Sequence, residues 1–196
     1  MPVHVRDAVG GDTARLTRLW ADLVPLRCPE SSGEDPKTVV RKAVLRHATD
    51  DQARILVAEM DGAVVGCAYL RLGVVSPLDD SGVVHLSHVQ VDPAFGRQGV
   101  GSALVEAAVT WAELRGVGFV MTAAPAGDRG PNRFLARLGM AQMAVLRGGT
   151  VATLRGRLPH APAAATRQNP RAVRSLEQVV AVRRSQRRAR TQRVTS

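Results

Sequence analysis

Aromatic and cysteine side chains are scarce in this chain. Phe, Trp and Tyr together make up 3% of its 196 residues, tyrosine occurs once, and the cysteines number two, Cys28 and Cys67. Two cysteines do not build a disulfide scaffold, so stability has to come from apolar packing. So few aromatics also leave little for the base-stacking platforms of single-strand nucleic-acid binders. No apolar run reaches the roughly 18 residues that a membrane-spanning helix needs, so no membrane role is expected. Met1 to Asp7 has no apolar core of a secretory signal, and a reducing cytoplasm is the expected compartment.

What is present suits one domain with a substantial core: 45% of residues are hydrophobic and 22% are charged. The formal charge of +10 is unevenly placed, since residues 160–196 hold nine arginines against the single acid Glu177. The remainder is close to neutral. The basicity therefore belongs to a tail, which argues against reading the whole chain as a nucleic-acid binder.

Hydrophobic periodicity orders the rest. Val3 to Val9 is a short strand. Asp12 or Thr13 caps a helix with Leu16, Leu19, Trp20 and Leu23 on one face, and Pro25 ends it. After the loop "PLRCPESSGEDP", a second helix over about Lys37 to His47 should bury Val40, Val44 and Leu45. "ARILVAEMDGAVVGCAYLRLGVV" carries Asp61-Gly62, the favoured pair of a type I′ turn, between strands 54–60 and 63–74. A loop over 76–82 and a strand over 83–91 complete a meander. A helix follows from Val100 to Arg115 with Gly116 just past its end, then a strand over 117–124 and a short helix over 130–139. A last hairpin is expected to pair "MAQMAVLR" with "TVATLRGRL" across Gly148-Gly149. The order is βαα, a β-meander, then βαβαββ: a mixed α/β (α+β) fold with a largely antiparallel sheet flanked by helices. The domain is expected over residues 3–158 and a linker-like, basic tail over 159–196.

"VQVDPAFGRQGVGSALVEAA" places Gly96, Gly99 and Gly101 between a strand and a helix, where each glycine costs about 1 kcal/mol relative to alanine. A strand, a bare turn and a helix start leave unpaired N–H groups at the positive end of the helix dipole, which suits a phosphate. The two common phosphate loops do not fit. Gly101-Ser102 lacks the lysine of a P-loop, and Gly99-Val100-Gly101 is followed by Ala103-Leu104 rather than a third glycine. The next strand also ends without the acid of a dinucleotide fold.

The segment instead closely resembles the acyl-CoA-binding segment of the GNAT superfamily of N-acetyltransferases. That pattern is a strand, Asp/His-Pro, an aromatic, Arg/Gln-x-x-Gly-x-Gly/Ala and a long helix. "RFLARLGM" is similar to the family's later "FYxxLGF". Two positions depart from it: Gly96 stands where Arg or Gln is usual, with Arg97 one step later, and Leu135 replaces the usual Tyr. The resemblance implies a coenzyme A diphosphate on the backbone N–H groups of Arg97, Gln98, Gly99, Val100, Gly101 and Ser102. It also implies a pantetheine arm along Val89 and Val91, a side-chain contact from Asn132, and acetyl-CoA as co-substrate with no metal.

Transfer to an amine needs that amine neutral, which calls for a base. In the resemblance, His85 falls where some members carry a glutamate and others a histidine, and it is the base candidate. Strict alternation along 83–91 places 85, 87, 89 and 91 on one face and His88 on the other, so His85 and His88 should not share a metal. The thiolate's usual proton donor is absent at Leu135; Tyr69, or Ser87 through water, are the stand-ins. Glu30, Glu34 and Asp35 could draw a cationic acceptor, and Cys67 reads as core. The expected function is acetyl transfer to a primary amine of a small molecule or protein by direct attack. The rival is a catalytically weak CoA-binding protein tethered to nucleic acid or the ribosome by its basic tail. For the tail three readings stay open: a solvated segment, an anchor to nucleic acid or the ribosome, and a helix docked on the domain or a second subunit, which leaves a homodimer open.

Overall fold

The computed structural model describes residues 2–21, 33–125 and 127–158. Leu23, Pro25, Cys28, Glu30 and the arginine tail lie outside these residues. The chain divides into two compact units, Met1–Arg147 and Gly148–Ser196.

The first unit is built on a five-stranded sheet of order β1 (His4–Asp7), β2 (Ala53–Met60), β3 (Ala63–Ser76), β4 (Asp79–Val91) and β5 (Val120–Thr122). Neighbours are antiparallel except β4 and β5, which run parallel. Helices α1 (Thr13–Leu19) and α2 (Pro36–His47) lie between β1 and β2 in the chain. Helix α3 (Val100–Leu114) links β4 to β5, and α4 (Arg129–Arg137) follows β5. This is the expected mixed α/β fold with a largely antiparallel sheet.

Each sheet face buries its own apolar set. On one face Leu56, Ala58, Met60, Leu70, Val84 and Leu86 pack against Val100, Leu104, Ala108 and Trp111 of α3, a stripe at helical spacing. On the other face Ile55, Val57 and Cys67 meet Leu16 of α1 and Val44 of α2. Leu45, expected in that core, is exposed on the outer side of α2. Just before α1, Asp12 closes the 3-10 turn Gly10–Asp12: its carboxylate takes two bonds from Arg6 (2.7 and 3.0 Å) and one from the Val9 N–H (2.8 Å). Arg6 is the main reason that this carboxyl sits below its ordinary range.

The β2–β3 turn has positive φ at both Asp61 (50°) and Gly62 (76°), as a type I′ hairpin requires. The loop expected over 76–82 is shorter than its composition suggests. The β3–β4 ladder continues to the pair Ser76–Asp79, because cross-strand pairing overrides weak local propensity.

Gly66 of β3 lets α3 approach the sheet closely. A Cβ there would stand 2.7 Å from Cγ1 of Val100 and 3.1 Å from the Gln90 carbonyl. Val100 is stiff and Gln90 O is backbone, so neither gives way cheaply. Gly66→Ala is expected to cost about 1–3 kcal/mol, read as a Tm lower by roughly 2–4 °C per kcal/mol. An unchanged Tm would mean that α3 is not seated this close.

The expected C-terminal hairpin is not formed. Residues 140–150 carry no strand, and Val151–Arg157 is a helix, α5. Thr150 caps it by accepting the Thr153 N–H at 3.1 Å. Val151, Leu154 and Leu158 recur at helical rather than strand spacing, which the Gly-Gly pair masked in the sequence. Among the described residues no helix is long and apolar enough to cross a membrane.

Candidate active site

The glycine turn begins at Asp92. Its Oδ1 accepts the Ala94 N–H at 2.9 Å, and its other oxygen pairs with Arg15, which also donates from Nε to the Val64 carbonyl at 2.7 Å. The Ala94 N–H first, and Arg15 second, hold the Asp92 carboxyl below the usual range. Helix α1, strand β3 and the turn are thereby tied together. A single 3-10 turn, Pro93–Phe95, follows, closed by Gly96 N–H to the Pro93 carbonyl at 3.2 Å.

Beyond it the backbone turns left-handed at Arg97 (φ 61°) and again at Gly99 (φ 88°). Of the three glycines only Gly99 needs to be glycine for its conformation. At Gly101 an added Cβ would make only ordinary contact, 3.5 Å, with the Phe134 ring of α4. The Gly99 carbonyl accepts the Ala103 N–H at 2.9 Å, opening α3. The N–H groups of Arg97, Gln98, Gly99, Val100, Gly101 and Ser102 find no acceptor among the described residues. These are the six expected donors, and they sit where the α3 dipole is positive.

Strand β4 does not keep strict alternation. Cys67 pairs with Gln90 but Tyr69 pairs with Ser87, so two residues of β4, His88 and Val89, face one of β3. His88 takes positive φ (54°) to form this bulge, a conformation histidine tolerates better than most residues. Val84 and Leu86 face α3 before the bulge, and Val89 and Val91 face it afterwards. His85 and Ser87, opposite Arg71 and Tyr69, therefore lie on the other face from Val89 and Val91, contrary to the expected alternation. Strand β5 pairs only with Val84, His85 and Leu86. Past Leu86, the β4 edge turned away from β3 has no strand partner among the described residues. That free edge carries Val89 and Val91 and leads to the glycine turn.

A cleft of about 240 Å³ opens on the α1/α2 face beside the bulge. Trp20, Val39, Val40, Ala43 and Ile55 form its apolar wall, and Thr17, His47, Tyr69 and His88 are its polar members. The Tyr69 ring lies 5.1 Å from His47 and 6.2 Å from His88, between centroids. Ser87 Oγ is 2.9 Å from His88 Nδ1, and Trp20 Nε1 donates to the His88 carbonyl at 3.0 Å. His47 Nδ1 is 3.3 Å from Asp50 Oδ2.

His85 stands further along β4, with its ring over Gly73, and is not among the residues lining the cleft. Tyr69 lines the cleft. His88 shares the face of Tyr69 and of Ser87 opposite it, not the reverse face that strict alternation assigns it. His47, Trp20 and His88 were not expected in the site. The signals were there: Ser87-His88 puts two polar residues between Leu86 and Val89 and shifts the apolar phase, and Asp50 follows His47 at one helical turn.

Asn132 donates to the carbonyls of Asp128 (2.6 Å) and Pro125 (3.3 Å), which engages its amide nitrogen in its own loop. Leu135 is half-buried in α4. Glu34 is paired with Lys42, and Asp35 caps α2 by accepting the Thr38 N–H at 3.1 Å. Cys67 is buried, and burial pushes its thiol up to about 12.

The free amides thus lie at the start of a sheet-packed helix, beside a bulged strand with an open edge, and a cleft lies on the opposite face of the sheet. Residues 20–140 match the model of the Acetyltransferase (GNAT) family, and the chain belongs to that family. An uncharacterised N-acetyltransferase of Methanocaldococcus jannaschii is 29% identical over 98 residues, covering 50% of this chain and 43% of that protein. The match thus spans under half of that relative's length. Among solved structures, a transcriptional regulator from Bacillus halodurans C-125 is 22% identical with a TM-score of 0.64, over 76% of this chain and 100% of that one. AAC(6')-Iy in complex with a CoA bisubstrate analogue is 18% identical with a TM-score of 0.63, over 76% and 98%. Glucosamine-6-phosphate N-acetyltransferase from Arabidopsis thaliana is 15% identical with a TM-score of 0.61, over 77% and 99%. At these identities the likeness is one of fold.

Proposed function

We propose that the chain transfers acetyl from acetyl-CoA to a primary amine of a small molecule or protein, by direct attack and without an acyl-enzyme. The observation that carries this reading is the run of free N–H groups from Arg97 to Ser102, continuous with the unpaired β4 edge. The diphosphate would rest on those amides, and the pantetheine arm would pair with the backbone of Val89 and Val91. That path brings the thioester to the bulge, beside His88 and Tyr69. AAC(6')-Iy, a structural neighbour, was solved with a CoA bisubstrate analogue, in keeping with this path.

In the reaction the amine nitrogen attacks the acetyl carbon and the C–S bond breaks. The nitrogen's extra proton has to leave and the departing thiolate has to gain one. His88 is the proton acceptor proposed here, with Ser87 Oγ on its Nδ1 fixing the ring. This role passes to it from His85, the sequence candidate, because His88 lines the cleft. Tyr69 is the proposed thiolate donor, in the role that Leu135 cannot fill. The raised Cys67 thiol is a poor nucleophile, which favours direct attack.

Free-thiol release from acetyl-CoA, measured over a panel of small amines and lysine peptides, tests the proposal. Turnover with at least one amine is expected. Saturable CoA binding without turnover on any of them would replace the transferase by a CoA-binding protein.

A further inference from the structure

We propose that Arg15 of α1 is a positioning residue for the acyl donor: acting through Asp92, it fixes the stretch of β4 along which the pantetheine arm would pair. This inference rests on the transferase reading and adds to it a residue outside the cleft wall.

Residues 88 to 92 are the part of β4 that needs such support. On one side the strand has no partner beyond Leu86 among the described residues. On the other side the ladder to β3 shifts at the bulge, and past it only the pairs Cys67–Gln90 and Gly66–Val91 remain. A backbone held from one side by so short a ladder opens locally at low cost. A displacement of about 1 Å where a substrate is aligned can cost a hundredfold in rate.

Helix α1 grips both ends of this stretch. At the bulge end Trp20, the cap residue of α1, donates from Nε1 to the His88 carbonyl at 3.0 Å. At the turn end the Arg15 guanidinium pairs with the Asp92 carboxylate, while its Nε donates to the Val64 carbonyl at 2.7 Å. The Asp92 N–H donates to the Val65 carbonyl at 2.8 Å. Arg15 therefore bridges β3 to the residue just past β4, where their ladder stops. The other oxygen of Asp92 accepts the Ala94 N–H at 2.9 Å, so the same pair orients the 3-10 turn that leads to the free amides. The Arg15 and Asp92 side chains are 31% and 22% exposed, and water screens such a pair less than one on the open surface. A planar guanidinium serves the carboxylate and the Val64 carbonyl together, which the point charge of a lysine does not.

The test uses the full chain and its Arg15→Met variant, which keeps most of the stem and removes the guanidinium. Calorimetry with acetyl-CoA and kinetics with the best amine should show Kd and KM for acetyl-CoA raised roughly tenfold, the ordinary cost of losing hydrogen bonds from a charged group. The KM for the amine and the Tm should hold. A merely structural loss would weaken the amine too, because α1 also supplies Thr17 and Trp20 to the cleft. Arg15→Lys should recover part of the affinity. Asp92→Asn separates position from charge: removing an acid near an anion site tightens binding if charge alone matters, and weakens it if the tie matters. Arg15→Met combined with Asp92→Asn should lose no more than the worse single variant, as two residues acting as one unit do.

Acetyl-CoA affinity unchanged in Arg15→Met, or tighter in Asp92→Asn, overturns the inference and leaves the transferase reading intact. Should Arg15→Met not fold, Arg15→Lys and Asp92→Asn decide by the same affinities. Acetyl-CoA binding without turnover of any amine overturns the transferase reading, and the Kd comparison still decides the role of Arg15. A wild-type chain that does not bind acetyl-CoA overturns both.

Discussion

Ser102→Glu is expected to weaken acetyl-CoA binding by roughly a hundredfold while leaving Tm unchanged or slightly higher. Ser102 is exposed in the first turn of α3, and its N–H is one of the six that find no acceptor. A carboxylate at this position favours the helix, because it complements the positive end of the dipole by about 0.3–1 kcal/mol. It also sits where a diphosphate would be. Two like charges about 5 Å apart at an effective dielectric near 20 repel by roughly 3 kcal/mol, which is about a hundredfold in Kd. Fold and binding therefore move in opposite directions, so calorimetry with acetyl-CoA separates a damaged protein from a blocked site. Unchanged affinity in a stable variant would show that the amides are an ordinary turn.

The second large effect concerns the base. His88→Asn keeps a residue that tolerates the left-handed backbone of the bulge and retains an acceptor near Ser87 Oγ, but removes the imidazole. With the amine that turns over best, kcat should fall by about a hundredfold or more, with acetyl-CoA affinity and Tm held. His85→Asn, tested alongside, should lose less than roughly tenfold, because His85 lies over Gly73 away from the cleft wall. Reversed losses would return the base to His85. Raising the pH should partly rescue His88→Asn, since a higher fraction of the amine is then neutral without help. A merely structural defect would not respond in that way.

The parts of the site that were legible in the sequence are those made by neighbouring residues. The left-handed Gly99, the opening of α3 and the amides from Arg97 to Ser102 all follow from a short turn between an apolar strand and an apolar-striped helix. The Asp61-Gly62 hairpin and the α3 stripe of Val100, Leu104, Ala108 and Trp111 were legible for the same reason. The C-terminal hairpin was misread because Gly148-Gly149 fits a turn in either setting. The Thr150 cap and the 151, 154, 158 spacing favour the helix that forms.

The face of a strand residue is a different matter, because one inserted residue reverses every side chain beyond it. The bulge at His88 and Val89 does this within β4. It moves His88 into the company of Tyr69 and turns Val89 and Val91 to the α3 side. His47 joins them only because α2 packs across β2 and β3, a contact between residues far apart in the chain.

By itself, then, the sequence determined that a helix would begin with bare, unpartnered amides, since that depends on torsion angles and hydrogen bonds within a few residues. Only the tertiary structure decided which histidines share a cleft. That depends on strand register and helix packing, which no local stretch of chain encodes.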